Sequence, residues 1–227
     1  MVNRFLMLIA VVAVLGCSTT ELTRSDGDAE SSRFSFRWDP RSRAAAEQLS
    51  YENVLNLLDG PAPILALYRE DLTHDGVVDF FVNLTGSEEI ALPILYYADK
   101  ADISLSLVFS LAWVESRFSP VAVNRNATSV DRGLFQLNSR TFRSLSEEDF
   151  FHPDTNTYHA IDYLSWCLQH TTSEEQAVAV YNAGLRRVRA GQTPQSTRIY
   201  VGRIVTFREQ LERDFRRYML SAYPSRV

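Results

Sequence analysis

SLSLVFSLAWVESRFSP, residues 104–120, is the stretch on which the reading of this chain turns. Val108, Leu111, Ala112 and Glu115 fall at i, i+3, i+4 and i+7, which is one face of a helix, so the Glu115 carboxyl points where the apolar side chains point. Ser104 can cap the start and Pro120 limits continuation, which puts Glu115 near the C-terminal end. Partial burial, the aromatic neighbours Trp113 and Phe118, and the negative end of the helix dipole all disfavour a charge there. A carboxyl so placed can hold its proton near neutral pH. From this stretch alone, a Glu at a helix edge that reaches solvent or pairs with Arg117 fits equally well.

Outward from that helix the chain reads as mainly α. Upstream, residues 41–58 form a helix or helix pair closed by Asp59-Gly60-Pro61, and a short helix follows over 64–70. In 71–83, Asp71, Thr73, Asp75, Gly76 and Asp79 match a calcium-loop pattern, but Val82 stands where a bidentate Glu belongs. Asp75 capping a helix from Gly76 to Leu84 is the better reading, and no metal site is expected. Thr85-Gly86 ends that helix and Ser87-Glu88-Glu89 opens the next. Downstream, 121–133 is polar and turn-rich, with room for at most a short β-hairpin or irregular loop. Residues 134–145 are expected to continue into a short helix. His152-Pro153-Asp154 starts another, Ser173 to Gln176 is a capping box for a helix ending at Gly184, and Thr193-Pro194 begins the last and longest.

The 227 residues, 45% hydrophobic, suffice for one good core and show no internal repeat. A net charge of -5 argues against nucleic acid as a partner. Arginines crowd the chain after Tyr181, where a solvated helix face is the simplest account. At the N-terminus, Asn3-Arg4 precedes an apolar run over 5–15 and then Gly16-Cys17-Ser18, an export signal too short to span a membrane. Val14-Leu15-Gly16-Cys17 resembles the lipobox of bacterial lipoproteins, which implies that Cys17 is lipidated and anchors the chain to a membrane facing the periplasm, the outer membrane above the inner. Residues 18–33 are small and polar, a tether. Cys167, in an apolar run, reads as a small core residue.

Four segments stand in order: Glu115 to Pro120 (ESRFSP), Gly133 to Asn138 (GLFQLN), Val180 to Gly184 (VYNAG) and Thr197 to Val201 (TRIYV). Together they resemble the soluble lytic transglycosylases of the lysozyme superfamily, whose marks are a Glu-Ser pair, a Gly-Leu-Met-Gln segment, an Ala-Tyr-Asn-Ala-Gly segment and a late Tyr-Val. Asp154 to Leu164 also looks like that family's intervening helix. The resemblance implies a lysozyme-like catalytic domain over 97–220, preceded by a signal peptide (1–16), a tether (17–33) and extra N-terminal helices (34–96) packed on it. It implies a monomeric enzyme that needs no cofactor and acts on peptidoglycan strands. Glu115 is then the catalytic acid, Ser116 and Tyr200 orient it, and Gln136, Phe135, Asn138, Val180, Tyr181 and Asn182 line the sugar subsites. Phe135 stands for the usual Met and Val180 for the usual Ala. Asp131 sits in a segment similar to the one that bears the second carboxylate of animal-type lysozymes, so a hydrolytic muramidase stays open, as does a glycan-binding lipoprotein that cleaves nothing.

Overall fold

The computed structural model describes residues 54–223. The signal peptide, the tether, Cys17 and the start of the helical extension lie outside them. In chain order, helical residues 54–58 lead to α1 (Pro63–Arg69), α2 (His74–Thr85), α3 (Glu88–Lys100) and α4 (Leu105–Ser116). Then come β1 (Val123–Arg125), β2 (Val130–Arg132) and β3 (Leu137–Asn138), followed by α5 (Glu147–Phe151), α6 (Pro153–Gln169), α7 (Glu174–Ala183), α8 (Leu185–Arg189) and α9 (Gln195–Ala222). The fold is mainly α and lysozyme-like, with one small sheet. Among the described residues no helix is long and apolar enough to cross a membrane.

The core is built around α4. Every residue from Leu105 to Ala112 is buried, so the single apolar face drawn from the sequence is too narrow. A helix covered on all sides needs apolar or self-satisfied residues all round. Ser110 meets that demand by donating its hydroxyl to the Ser106 carbonyl at 2.6 Å. α9 packs along α4 and also touches α7 and α2, while α3 bridges α4 and α6. Phe109 of α4 stacks on Phe81 of α2 with ring centroids 3.9 Å apart, and Phe215 of α9 lies 6.2 Å from Phe81. Such aromatic clusters bury large apolar areas and dominate the energetics of a core.

The start of α4 departs from expectation. Ser104 is the N-cap residue but accepts no backbone N–H with its side chain. Its hydroxyl pairs instead with Ser106 Oγ at 3.0 Å and accepts from Arg208 Nη2 at 3.2 Å. Arg208 also donates to Ser106 Oγ and to Glu212 Oε1 at 2.9 Å, and is ion-paired with Glu174 at the first turn of α7. It is therefore a half-buried clasp between α9, α4 and α7, not part of a solvated face. Arg216 likewise bonds Asp59 at 2.9 Å.

Helix boundaries elsewhere show which local signals compete. α2 begins at His74, not Gly76, with Thr73 as its N-cap residue and Asp75 inside the first turn, so the calcium-like residues are spent on a turn and a helix. Gly86 closes α2 at φ 72°. Ser173 Oγ accepts from the Gln176 N–H at 3.2 Å, but the Gln176 side chain reaches Thr172 instead of closing a capping box. The full capping box is at Ser146 and Asp149, where it opens α5, a helix the sequence reading lacked. The helix expected over 134–145 does not form. Gly133 at φ 79° and Gln136 at φ 49° break it, and β3 with a series of turns takes its place.

The sheet runs β1-β2-β3, antiparallel throughout. Its register pairs Asn124 with Asp131 and Asp131 with Asn138, so these three residues form one row across the strands. Directly paired residues share a face of the sheet, which brings their side chains together.

Candidate functional site

Glu115 lies on the last turn of α4, which stops one residue later. Arg117 and Phe118 both take left-handed conformations, φ 54° and 63°. Two such non-glycine residues in succession store roughly 1 kcal/mol or more each. The turn is held in place by burial of Phe118 and by Arg117, which lies over the Trp113 ring at 4.9 Å. Arg117 therefore attends Trp113 and not Glu115. The turn ends the helix abruptly and leaves Glu115 at the wall of a cleft of about 690 Å³.

Asp131, Gln136, Asn138, Tyr181, Asn182 and Tyr200 line the same cleft. These residues come from α4, the sheet and its turn, α7 and α9, so no short segment of sequence contains the site. A hollow of about 820 Å³ between 58–65 and α9 shares none of them. There Asp102 is held by Arg69, and Glu174 and Glu212 by Arg208, while Glu209 has Arg213 only at 3.9 Å. The cleft differs because its Glu115 has no cationic partner among the described residues.

Tyr200 donates its hydroxyl to Glu115 Oε1 at 2.5 Å. Burial pushes the Glu115 carboxyl up to about 8; the Tyr200 hydrogen bond opposes that, and the negative charge of Asp131 adds to it. The helix-end argument from sequence thus gave the right direction, with desolvation the main cause. Burial, and then the nearby Glu115 charge, raise the Tyr200 phenol well above 10, so it stays a neutral donor. Tyr181 is raised well above 10 for the same reasons. Its hydroxyl donates to the Phe135 carbonyl at 3.1 Å, which holds α7 against the turn after β2.

Asp131 is gripped by three amides: Asn138 Nδ2 at 2.6 Å, Asn126 Nδ2 at 2.7 Å and Asn124 Nδ2 at 3.2 Å. Asn138, expected to meet sugar, thus spends its amide on Asp131 and on Ser129 Oγ. Gln136 donates to the carbonyls of Gly133 (2.9 Å) and Ala122 (3.0 Å), and among the described residues nothing donates to its Oε1. Asn182 accepts from Thr197 Oγ1 at 2.7 Å, which leaves its amide N–H groups toward the exposed side of the cleft.

Three expectations need correction. Phe135 and Val180 are both fully buried, so neither can touch a sugar. Phe135 contributes through its backbone: its N–H donates to Asn156 Oδ1 at 2.8 Å and its carbonyl receives Tyr181. Val180 packs with Cys167 and Ala177 behind the cleft wall. Ser116 does not reach Glu115; its single proton goes to the Leu134 carbonyl at 2.7 Å and pins the end of α4 to the turn after β2. Cys167 is a buried core residue, as read, and burial pushes its thiol up to about 12.

Asn156 escaped the sequence reading as a site residue. Fully buried on α6, it receives Phe135 N–H and donates to the carbonyls of Phe150 (2.8 Å) and Arg132 (3.2 Å). It fixes the strand-to-turn passage that carries Asp131 and Gln136. A buried Asn on an otherwise amphipathic helix was the signal, since such a group is costly unless it is fully bonded. Asn124 and Asn126 were also missed. Their sequence pattern is that of any polar loop, and only the register makes them partners of Asp131.

A helical domain whose small sheet and C-terminal helix line a cleft with a proton-holding carboxyl at its wall can supply the acid that breaking a glycosidic bond requires. Residues 93–199 match the family model described as Transglycosylase SLT domain, so this part of the chain is an SLT-type lytic transglycosylase domain and the protein is an enzyme acting on peptidoglycan strands. The match runs from within α3 to the residue before Tyr200. Neither the curated proteins nor the solved structures yield a match to the chain.

Proposed function

We propose that this enzyme cuts the β-1,4 bond between N-acetylmuramic acid and N-acetylglucosamine without water, leaving 1,6-anhydro-muramyl ends. The observation that carries this reading is the Glu115 carboxyl, poised near 8 in a polar cleft with Tyr200 bonded to one of its oxygens. Glu115 gives its proton to the glycosidic oxygen as the C1–O bond breaks and C1 becomes oxocarbenium-like. The substrate's 2-acetamido group shields C1. The Glu115 carboxylate then takes the proton of the C6 hydroxyl, whose oxygen closes onto C1. One C–O bond is broken and one formed, Glu115 regains its proton, and no water is consumed. Tyr200 positions Glu115; Gln136 Oε1, the Asn182 amide and the Tyr181 ring meet the sugars. Ser116 serves at one remove, by fixing the helix end.

Digestion of purified sacculi followed by mass spectrometry is the test. Muropeptide ends lighter than reducing ends by one water are the expected product, and reducing ends alone would sink the proposal. A hydrolytic reading is kept alive by Asp131, which faces the cleft and is near enough to raise the Glu115 pKa. The two readings separate on Asp131→Asn. The lyase reading expects kcat to fall less than about tenfold with anhydro ends retained; a hydrolase that needs its second carboxylate loses on the order of 10³-fold. A thermal melt of the variant controls for the three amides that would lose an anionic acceptor.

The same proposal takes residues 97–220 as the catalytic domain and 34–96 as an extension packed on it. It also places the enzyme at the periplasmic face of a membrane, held by lipid on Cys17, on the strength of the Val14-Leu15-Gly16-Cys17 segment. Metabolic labelling with palmitate, lost in Cys17→Ser, tests the anchor.

A further inference from the structure

A second groove, of about 630 Å³, runs beside the cleft along the outer face of α9, and Arg203 lines both. Trp113, Ile199, Gly202, Phe207 and Arg213 line the rest of it that matters here. Its floor is apolar: Trp113 and Phe207 stack with centroids 4.3 Å apart, and Ile199 beside them is 49% exposed. Its charges are both cationic. Arg203 has no ion pair among the described residues, and Arg213 has only a distant one, 3.9 Å from Glu209.

Gly202 is an independent observation. It lies well inside α9, where glycine is the poorest helix former apart from proline. A Cβ added there meets nothing within 4 Å, and its backbone is not left-handed, so neither neighbours nor conformation demand a glycine. A bare backbone facing an open groove allows close approach by something that is not part of this fold.

We infer that this groove seats the stem peptide of the substrate, and that the enzyme thereby favours peptide-bearing over naked glycan strands. The inference rests on the transglycosylase reading above. In peptidoglycan each muramic acid carries, through its lactyl ether, a short peptide with free carboxylates and small apolar side chains. Such a branch leaves the strand sideways, as the groove leaves the cleft. Its carboxylates match Arg203 and Arg213. Its alanyl methyls match the Trp113–Phe207 floor, and its backbone can lie against Gly202. Continuity with the cleft and a cationic rim argue for this occupant above a second copy of the chain.

The experiment compares wild type with Gly202→Leu on two substrates: peptide-bearing strands and the same strands stripped by an N-acetylmuramoyl-alanine amidase. Wild type is expected to cleave the peptide-bearing strands with the higher kcat/KM. Gly202→Leu, which projects a side chain into the groove where the peptide backbone would lie, should lose about tenfold on those strands and nothing on the stripped ones. Its thermal midpoint should hold or rise, because leucine is the better helix former and meets open space. Arg203→Gln should lose the preference as well. Equal wild-type rates on the two substrates, or a parallel loss on both in Gly202→Leu, overturn the inference while leaving the transglycosylase reading intact. Equal rates together with a shift in sedimentation coefficient on Gly202→Leu would hand the groove to a second copy and also overturn it. Cleavage of neither substrate by wild type removes the transglycosylase reading and this inference with it.

Discussion

Glu115→Gln should lower kcat for strand cleavage by about 10³-fold or more while leaving the protein folded. The reason is specific to this site. Glutamine has the shape of the protonated carboxyl and its amide oxygen can still accept the Tyr200 hydroxyl, so the packing at the end of α4 survives. What is lost is the proton that the glycosidic oxygen needs and the base that takes it back. Release of soluble muropeptides from sacculi measures the effect. A variant that keeps a tenth of wild-type activity would remove Glu115 from the chemistry.

The same substitution should change how stability depends on pH, in a direction fixed by the raised pKa. The folded protein holds the Glu115 proton until about pH 8, whereas an unfolded chain releases it near 4.5. Between those values the native state binds one more proton than the unfolded state, so raising the pH favours unfolding. The contribution is complete below about 4.5 and gone above about 8. Thermal midpoints of wild type are thus expected to fall from pH 5 to 9 relative to those of Glu115→Gln, whose slope is flatter. Activity should share the upper limit, since above about pH 8 the acid has already given up its proton.

Glu115 could be singled out from the period and the end of its own helix, because a carboxyl on an apolar stripe stands out. Tyr181, Asn182 and Tyr200 came instead from the resemblance of their segments to the lytic transglycosylases, since a Tyr on an apolar stripe reads equally well as a core residue. The helix order from α2 to α4 and the stops at Gly86 and Gly184 were legible because period and caps are written locally. Residues 134–145 were not, because their apolar members suit a short helix as well as they suit β3 and a turn. What decides is a contact 21 residues away, where Asn156 takes the Phe135 N–H. Motif position likewise misassigned Phe135 and Val180 to the sugar. A segment can border a cleft while one of its side chains turns into the core, and exposure is not encoded in the motif. Ser116 shows the same limit, since a hydroxyl next to a catalytic carboxyl in sequence bonds a carbonyl 18 residues on.

Gly133→Ala should destabilise the fold by on the order of 4 kcal/mol, a large share of a typical total of roughly 5–15 kcal/mol. Gly133 follows β2, and its φ of 79° already disfavours any side chain. The larger cost is steric. A Cβ there would sit 1.9 Å from the Phe150 carbonyl oxygen and 2.4 Å from Asn156 Nδ2. Neither atom is the free end of a flexible chain: one is backbone at the end of α5, the other is held by two carbonyls. Relief requires the turn to move away from α5 and α6, and the turn carries Asp131 on one side and Gln136 on the other. Gly86→Ala separates the two costs, because Gly86 has φ 72° but nothing within 4 Å of an added Cβ. It should lose only about 1 kcal/mol, the left-handed strain alone. A thermal melt should therefore place Gly133→Ala about 10 °C below wild type and Gly86→Ala about 3 °C below. Strand cleavage should fall with the first variant and persist in the second. Equal midpoints for the two would mean that the turn yields freely, and that the clasp between Asn156 and residues 132–135 does not hold the cleft in shape.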